Sequence, residues 1–341
     1  MPAALANDLR DLLRAAIGHP PESPALVITD ARSALSRTLA RGYRDARPAA
    51  VFLDVDEAAP AVVFAAIDAL PAGSLVVLVE STRFELGEFR FRLELFKRGL
   101  AVVEHPHLER VPEAEIPVYL AALAYDPARF RGVGWALQSR IDRADHIEVA
   151  TPLGTARWEG PFEAARLNVG DYRKMPNVGG QFPIGEVFTE AVDLEGLNGR
   201  VGLFAYGAAD FSVAFPEPFA LVLERGRVVD APAAPPAFHD ILDTIRATEG
   251  EVWVRELGFG LNPALTATRR LSDVSAYERM TGVHLSLGAK HSVYPKPRFN
   301  KRQVRFHVDV FVHDPVVRIA GEVCFAEGAW TVPPAPEAVA P

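Results

Sequence analysis

Four short apolar runs stand near the start of the chain: ALVIT at 25–29, AVFLDV at 50–55, SLVVLVE at 74–80 and LAVVEH at 100–105. Between them, apolar residues recur on one helical face over 31–43, 58–69 and 89–98. Strand and helix in alternation predict βαβ crossovers and a parallel sheet. No phosphate-cradling glycine fingerprint follows any of these strands, which argues against a dinucleotide site. This first domain therefore reads as structural or dimer-forming.

A helix within 126–145 ends in RIDRAD, and beyond it the pattern changes to strands punctuated by Gly and Pro. IEVATPLGTARWEG, RVGLFAY, FALVLERGRVVDA, EVWVRELGFG, GVHLSLG, RFHVDVFV and VRIAGEVCF all have strand character, and 238–248 is the clearest helix among them. The expected fold is an α/β N-terminal domain with a parallel sheet over 1–140, then a mixed, mostly antiparallel β (α+β) domain over 141–330. A Pro- and Ala-rich disordered tail is expected at 331–341. A length of 341 residues fits two cores better than one.

Composition narrows the partners. Apolar residues make up 49% and charged residues 23%, an ordinary globular balance, and the net charge of -8 gives no electrostatic reason to bind nucleic acid or an anionic membrane. Small molecules or short peptides fit better as substrates. The single cysteine, Cys324, lies in an apolar run and reads as an inert buried thiol. The first residues, MPAALANDLRDLLRAAIG, form an amphipathic helix rather than a secretory signal, and no window is apolar enough to span a membrane. A cytoplasmic protein is the expectation.

The chemistry gathers in the second half. In VRFHVDVFVH, 304–313, Val and Phe alternate with Arg, His and Asp, so His307 and Asp309 project from one side of a strand and reach one metal or two adjacent ones. A solvated polar face would give the same pattern. GVHLSLG, 282–288, puts His284 on a strand's polar face, where a structural histidine is the commoner outcome. Glu256 shares a face with Val252 and Val254, so its carboxylate needs a cation or a proton if buried. Arg255 points the other way. Glu186 lies in a Gly- and Pro-rich run, where alone it would be unremarkable. Lys290, His291, Lys296, Arg298, Lys301, Arg302 and Arg305 form a basic stretch that reads as a solvated loop, or as a lid for an anionic substrate end.

The pieces PIGEVFT, RELGFGLNP, ERMTGVHLSLG, SVYP and FHVD, in this order over 177–309, resemble the aminopeptidase T family of metallopeptidases. At TPLGTARWEG the family usually has an acidic residue where this chain has Ala156. The resemblance implies that Glu186, Glu256, His284, His307 and Asp309 hold two divalent metal ions, Zn, Co or Mn. It also implies that Glu278 acts as general base, that Tyr294 of SVYP fills a tyrosine role, and that the protein is a homodimer. An ungapped count puts His291 at that tyrosine position instead. The activity implied is removal of the N-terminal residue of short peptides by a water activated between two metals.

Two other readings remain. His284, His307 and Asp309 alone make a two-histidine, one-carboxylate triad of the non-haem iron type, and the same superfamily resembles ring-cleaving dihydroxypyridine dioxygenases. A non-catalytic relative that keeps the fold for binding is the third.

Overall fold

The computed structural model describes residues 2–84, 91–173, 175–299 and 304–336, and the chain folds as two compact units. The first comprises Met1–Pro127, Val169–Ile184 and Arg270–Ala276; the second comprises Ala128–Asn168, Gly185–Arg269 and Tyr277–Pro341. The boundary thus falls earlier than 140, and the RIDRAD helix, Val133–Ile141, belongs to the second unit. Two later segments return to the first unit, which no change in texture announced.

In the first unit the four apolar runs form parallel strands in the order Val51–Asp54, Ala25–Thr29, Leu75–Val79, Ala101–His105. Ala25–Thr29 and Leu75–Val79 are buried at every position, as continuous apolar runs covered on both faces should be. Leu26, Ile28, Val76, Leu78 and Val102 pack with Val63 and Ile67 of the helix Pro60–Asp68 and with Phe91 and Leu95 of the helix Phe91–Lys97. Each such side chain contributes about 1.5–3 kcal/mol when removed from water. Helix Ala34–Ala46 begins where the Ser33 hydroxyl oxygen accepts the Ser36 N–H at 3.0 Å, a cap worth about 1 kcal/mol.

A fifth parallel strand, Gly179–Gln181, joins the Ala101–His105 edge. Glycine is needed there because a Cβ on Gly179 would lie 1.8 Å from the Val102 carbonyl oxygen, and its φ is +108°. The Gly- and Pro-rich run leading to Glu186 is therefore a sheet edge first.

The second unit is built on a 14-stranded sheet whose strand pairs are antiparallel. Toward one end of it lie, side by side, Glu186–Thr189, Val254–Gly260, Gly282–Leu287 and Val308–Val312. Helix Pro236–Glu249 ends at Gly250 with φ +86°. The strand expected over 304–313 is shorter than its pattern: regular pairing spans Val308–Val312. Residues 331–336 are not a loose tail. Thr331 N–H donates to Cys324 O at 2.9 Å, Ala335 N–H donates to Gly132 O at 2.9 Å, and Val332 is buried. Residues 337–341, the rest of the expected tail, lie outside the described residues. No helix among the described residues is long and apolar enough to cross a membrane.

Candidate metal centre

Cross-strand register assembles the site. Glu256 pairs with Ser286, and Ser286 in turn with Asp309, so the three share one row across three strands. The neighbouring row holds Gly258 and His284, and the next holds Gly260 beside Glu186. Positions two apart point to the same face, so Glu186, Glu256, His284 and Asp309 all project to one side of the sheet. All four are buried. Residues separated by more than a hundred positions in the chain thus meet because four strands lie in register.

The ligand atoms form two triads that share one carboxylate. Atoms of Glu186, Glu256 and His284 lie within 4.8 Å of one another, as do atoms of Glu256, His307 and Asp309. His284 Nε2 stands 3.1 Å from Glu186 Oε1 and 3.3 Å from Glu256 Oε1, and His307 Nε2 is 3.2 Å from Asp309 Oδ1. The five residues expected as ligands are therefore brought together.

Electrostatics mark the same place. Burial opposes charge on His284, yet the hydrogen bonds to Glu186 and Glu256 raise its pKa well above the ordinary value. His307 is partly exposed; Asp309 overrides the desolvation of its ring and raises the pKa to about 10. Desolvation would raise the Glu256 carboxyl, but His284 and His291 hold it below the usual carboxylate range. Protons on two histidines thus compensate the carboxylates where a cation would do the same, and a metal ion would have to displace them.

Arg279 adds a permanent charge that sequence reading did not single out. Its Nη1 lies 2.6 Å from Glu186 Oε2 and 2.6 Å from Glu278 Oε1. Glu186 keeps Oε1 turned toward His284 while Oε2 is held by the guanidinium. Glu278, the expected general base, is pushed up to about 8, chiefly by burial, with Arg279 opposing the rise and Glu186 and Asp309 adding to it. The only hint in the sequence was Arg279's place next to Glu278, since an arginine signals nothing until its partners are known.

Tyr294 does not face this cluster. Its hydroxyl lies 2.8 Å from the Ala164 carbonyl oxygen and 3.3 Å from that of Phe188, so its hydrogen-bonding capacity is committed to backbone. His291 stands in the expected place instead, with Nε2 2.8 Å from Glu256 Oε2. Arg255 turns away, as its alternation implied, and its Nε donates to Glu190 Oε2 at 2.5 Å. Lys296 and Arg298 of the basic stretch pair with Glu163 and Glu195, at 2.6 and 2.8 Å, and Arg298 covers the Trp253 ring, so both are structural rather than parts of a lid. Lys301 and Arg302 lie outside the described residues.

The donor set suits divalent ions. Three carboxylates and two imidazoles are ligands of the borderline and hard metals. Two buried atoms at the cluster, His284 Nδ1 and Ser286 Oγ, have no hydrogen-bond partner among the described residues. Such atoms cost about 1–3 kcal/mol each unless something satisfies them.

Solved structures share this fold. The 2,5-dihydroxypyridine dioxygenase from Pseudomonas putida KT2440 matches with a TM-score of 0.65 at 16% identity, over 100% of this chain and 99% of that one. Wild-type AmpT from Thermus thermophilus matches with a TM-score of 0.57 at 14% identity, over 97% of this chain and 99% of that one. No family model matches the chain, and a search of curated proteins finds no match. At these identities the likeness establishes the architecture alone.

Proposed function

We propose that this chain is a metal-dependent aminopeptidase, related to the aminopeptidase T family, that removes the N-terminal residue of short peptides at a two-ion centre. The observation that carries the reading is Glu256, one carboxylate common to two triads of ligand atoms. Glu186, Glu256 and His284 would hold one ion, and Glu256, His307 and Asp309 the other. Ions held there would polarise the scissile carbonyl and lower the pKa of a bound water toward neutrality. The protein's own groups do the rest. Glu278, its pKa raised by burial beside Arg279, is suited to exchange a proton between water and the departing amine nitrogen. Arg279 keeps Glu186 Oε2 occupied, so that Oε1 alone is offered.

One feature favours a second reading. With both histidines neutral, the three carboxylates and the Arg279 guanidinium paired to Glu186 leave two negative charges, balanced by a single divalent ion. A one-ion centre on His284, His307 and Asp309 would be of the two-histidine, one-carboxylate non-haem iron type, and 2,5-dihydroxypyridine dioxygenase is the activity named for the Pseudomonas putida structure.

Metal analysis of the purified protein, with two assays, separates these. About two zinc, cobalt or manganese ions per chain and release of N-terminal residues from an aminoacyl-amide panel support the aminopeptidase. One iron per chain with oxygen uptake on a dihydroxypyridine supports the dioxygenase. Metal-free, inactive but folded protein would mean that the fold serves binding.

A further inference from the structure

We propose that the first unit carries a binding site of its own, for a free α-amino acid with an apolar side chain, in a cavity at the carboxyl ends of its parallel strands. The inference goes beyond the proposed function and does not depend on it.

Sheet topology makes the cavity. Glu80 directly follows Leu75–Val79, Glu104 is the penultimate residue of Ala101–His105, and Gln181 ends Gly179–Gln181. Register pairs Glu104 with Gln181, and the Glu80 N–H donates to the His105 carbonyl oxygen at 2.9 Å, so three neighbouring strands bring their polar ends together. Beyond these ends lies a cavity of about 390 Å³, lined also by Arg83, Arg92 and His107, and all of these residues belong to the first unit. The crevice past the carboxyl ends is where open parallel sheets hold small molecules. Its volume falls among those of small-molecule sites, roughly 300–1,000 Å³. No glycine-rich phosphate loop follows these strands, which argues against a nucleotide as the occupant.

The lining carries both signs of charge. Arg92 pairs through Nη1 with Glu104. Glu80 is buried and close enough to Glu104 to feel its charge, with Arg83 acting on it in the opposite sense. His107 is held neutral, its pKa pushed down to about 4 by burial first, then by Arg110 and Arg83. Among the described residues of the cavity, two carboxyl groups therefore stand against two guanidinium groups. A ligand with net charge would upset that balance, whereas one with separated opposite charges finds a partner for each. Its carboxylate suits Arg83 and Arg92, with Gln181 and the neutral His107 completing the hydrogen bonds; its ammonium suits Glu80 and Glu104. An α-amino acid has both groups on one carbon.

The remaining wall selects the side chain. Phe91 and Leu93 line the same cavity, and Leu93 is 39% exposed, so an apolar side chain laid against it would remove apolar surface from water on both partners.

Calorimetric titration of the full chain with L-leucine, after a chelator has stripped any metal, tests this. One molecule per chain should bind. Isoamylamine, which lacks the carboxylate, and 4-methylpentanoate, which lacks the ammonium, should each bind at least about 10-fold more weakly, because each leaves charged groups of the site unmatched. Arg83→Gln and Glu104→Gln should each weaken leucine binding by about 10-fold or more on the same grounds. Arg83 is exposed, so its replacement leaves the packing intact, and a thermal melt checks that both variants are folded. Leucine binding that persists in both folded variants places the amino acid elsewhere and overturns the proposal. Equal affinity for 4-methylpentanoate, which would make this a site for simple carboxylates, overturns it too, as does a parent protein that gives no binding at millimolar leucine.

Discussion

At Gly258 an added Cβ would lie 2.1 Å from both Cε1 and Nε2 of His284. The missing side chain on the central strand is thus the space that the histidine ring occupies on its neighbour. Gly258→Ala should drive His284 off Glu186 and Glu256, lower stability by about 1–3 kcal/mol through overpacking, and weaken metal uptake at least about 10-fold. Thermal melts and a zinc titration check this. Unchanged uptake would count against His284 as a ligand. The same scale explains why Arg255 and Arg279, so similar in sequence, act differently. Alternation turns Arg255 behind the sheet to Glu190, whereas Arg279 reaches Glu186 and Glu278 at the site.

Among the elements, the parallel sheet carries a buried acid at a strand end. Glu80 directly follows Leu75–Val79, is 3% exposed, and is pushed up to about 8 by burial first and by Glu104 second. Between about 4.5, its value without these influences, and about 8, the folded chain holds a proton that the unfolded chain has lost. Stability contributed by this group therefore falls as pH rises through that window and levels off above it. Glu80→Gln removes the dependence, so its stability relative to the parent should increase from pH 5 to pH 8. Urea unfolding at the two pH values measures it; an equal difference at both would mean that Glu80 is ionised throughout.

At the scale of the whole molecule, the metal centre couples folding to metal supply. Glu186, Glu256, His284, His307 and Asp309 come from four strands and their flanks, so an ion bound by all of them favours only the folded sheet. Treatment with a chelator should lower the melting temperature, and readdition of zinc or manganese should restore it. Free metal at a hundred times its dissociation constant corresponds to about 2.7 kcal/mol. Glu256→Gln, which weakens both triads together, should largely abolish the difference between chelated and reloaded protein. A parent protein that melts identically in both states would refute the centre.

The sequence alone determined whatever depends on local pattern. Continuous apolar runs with helical spacing between them specified the parallel sheet, and strict alternation placed His307 with Asp309 and turned Arg255 away from Glu256. Local motifs also brought the five ligand candidates to notice. The tertiary structure decided whatever depends on neighbours distant in the chain. Gly179–Gln181 became a sheet edge because its glycines allow close approach to Val102, not because it has strand character of its own. Arg279 entered the site, and His291 rather than Tyr294 reached Glu256, because register and an anchored turn set which polar atoms meet. Periodicity tells which side of a strand a residue faces; only the pairing of strands tells what stands beside it.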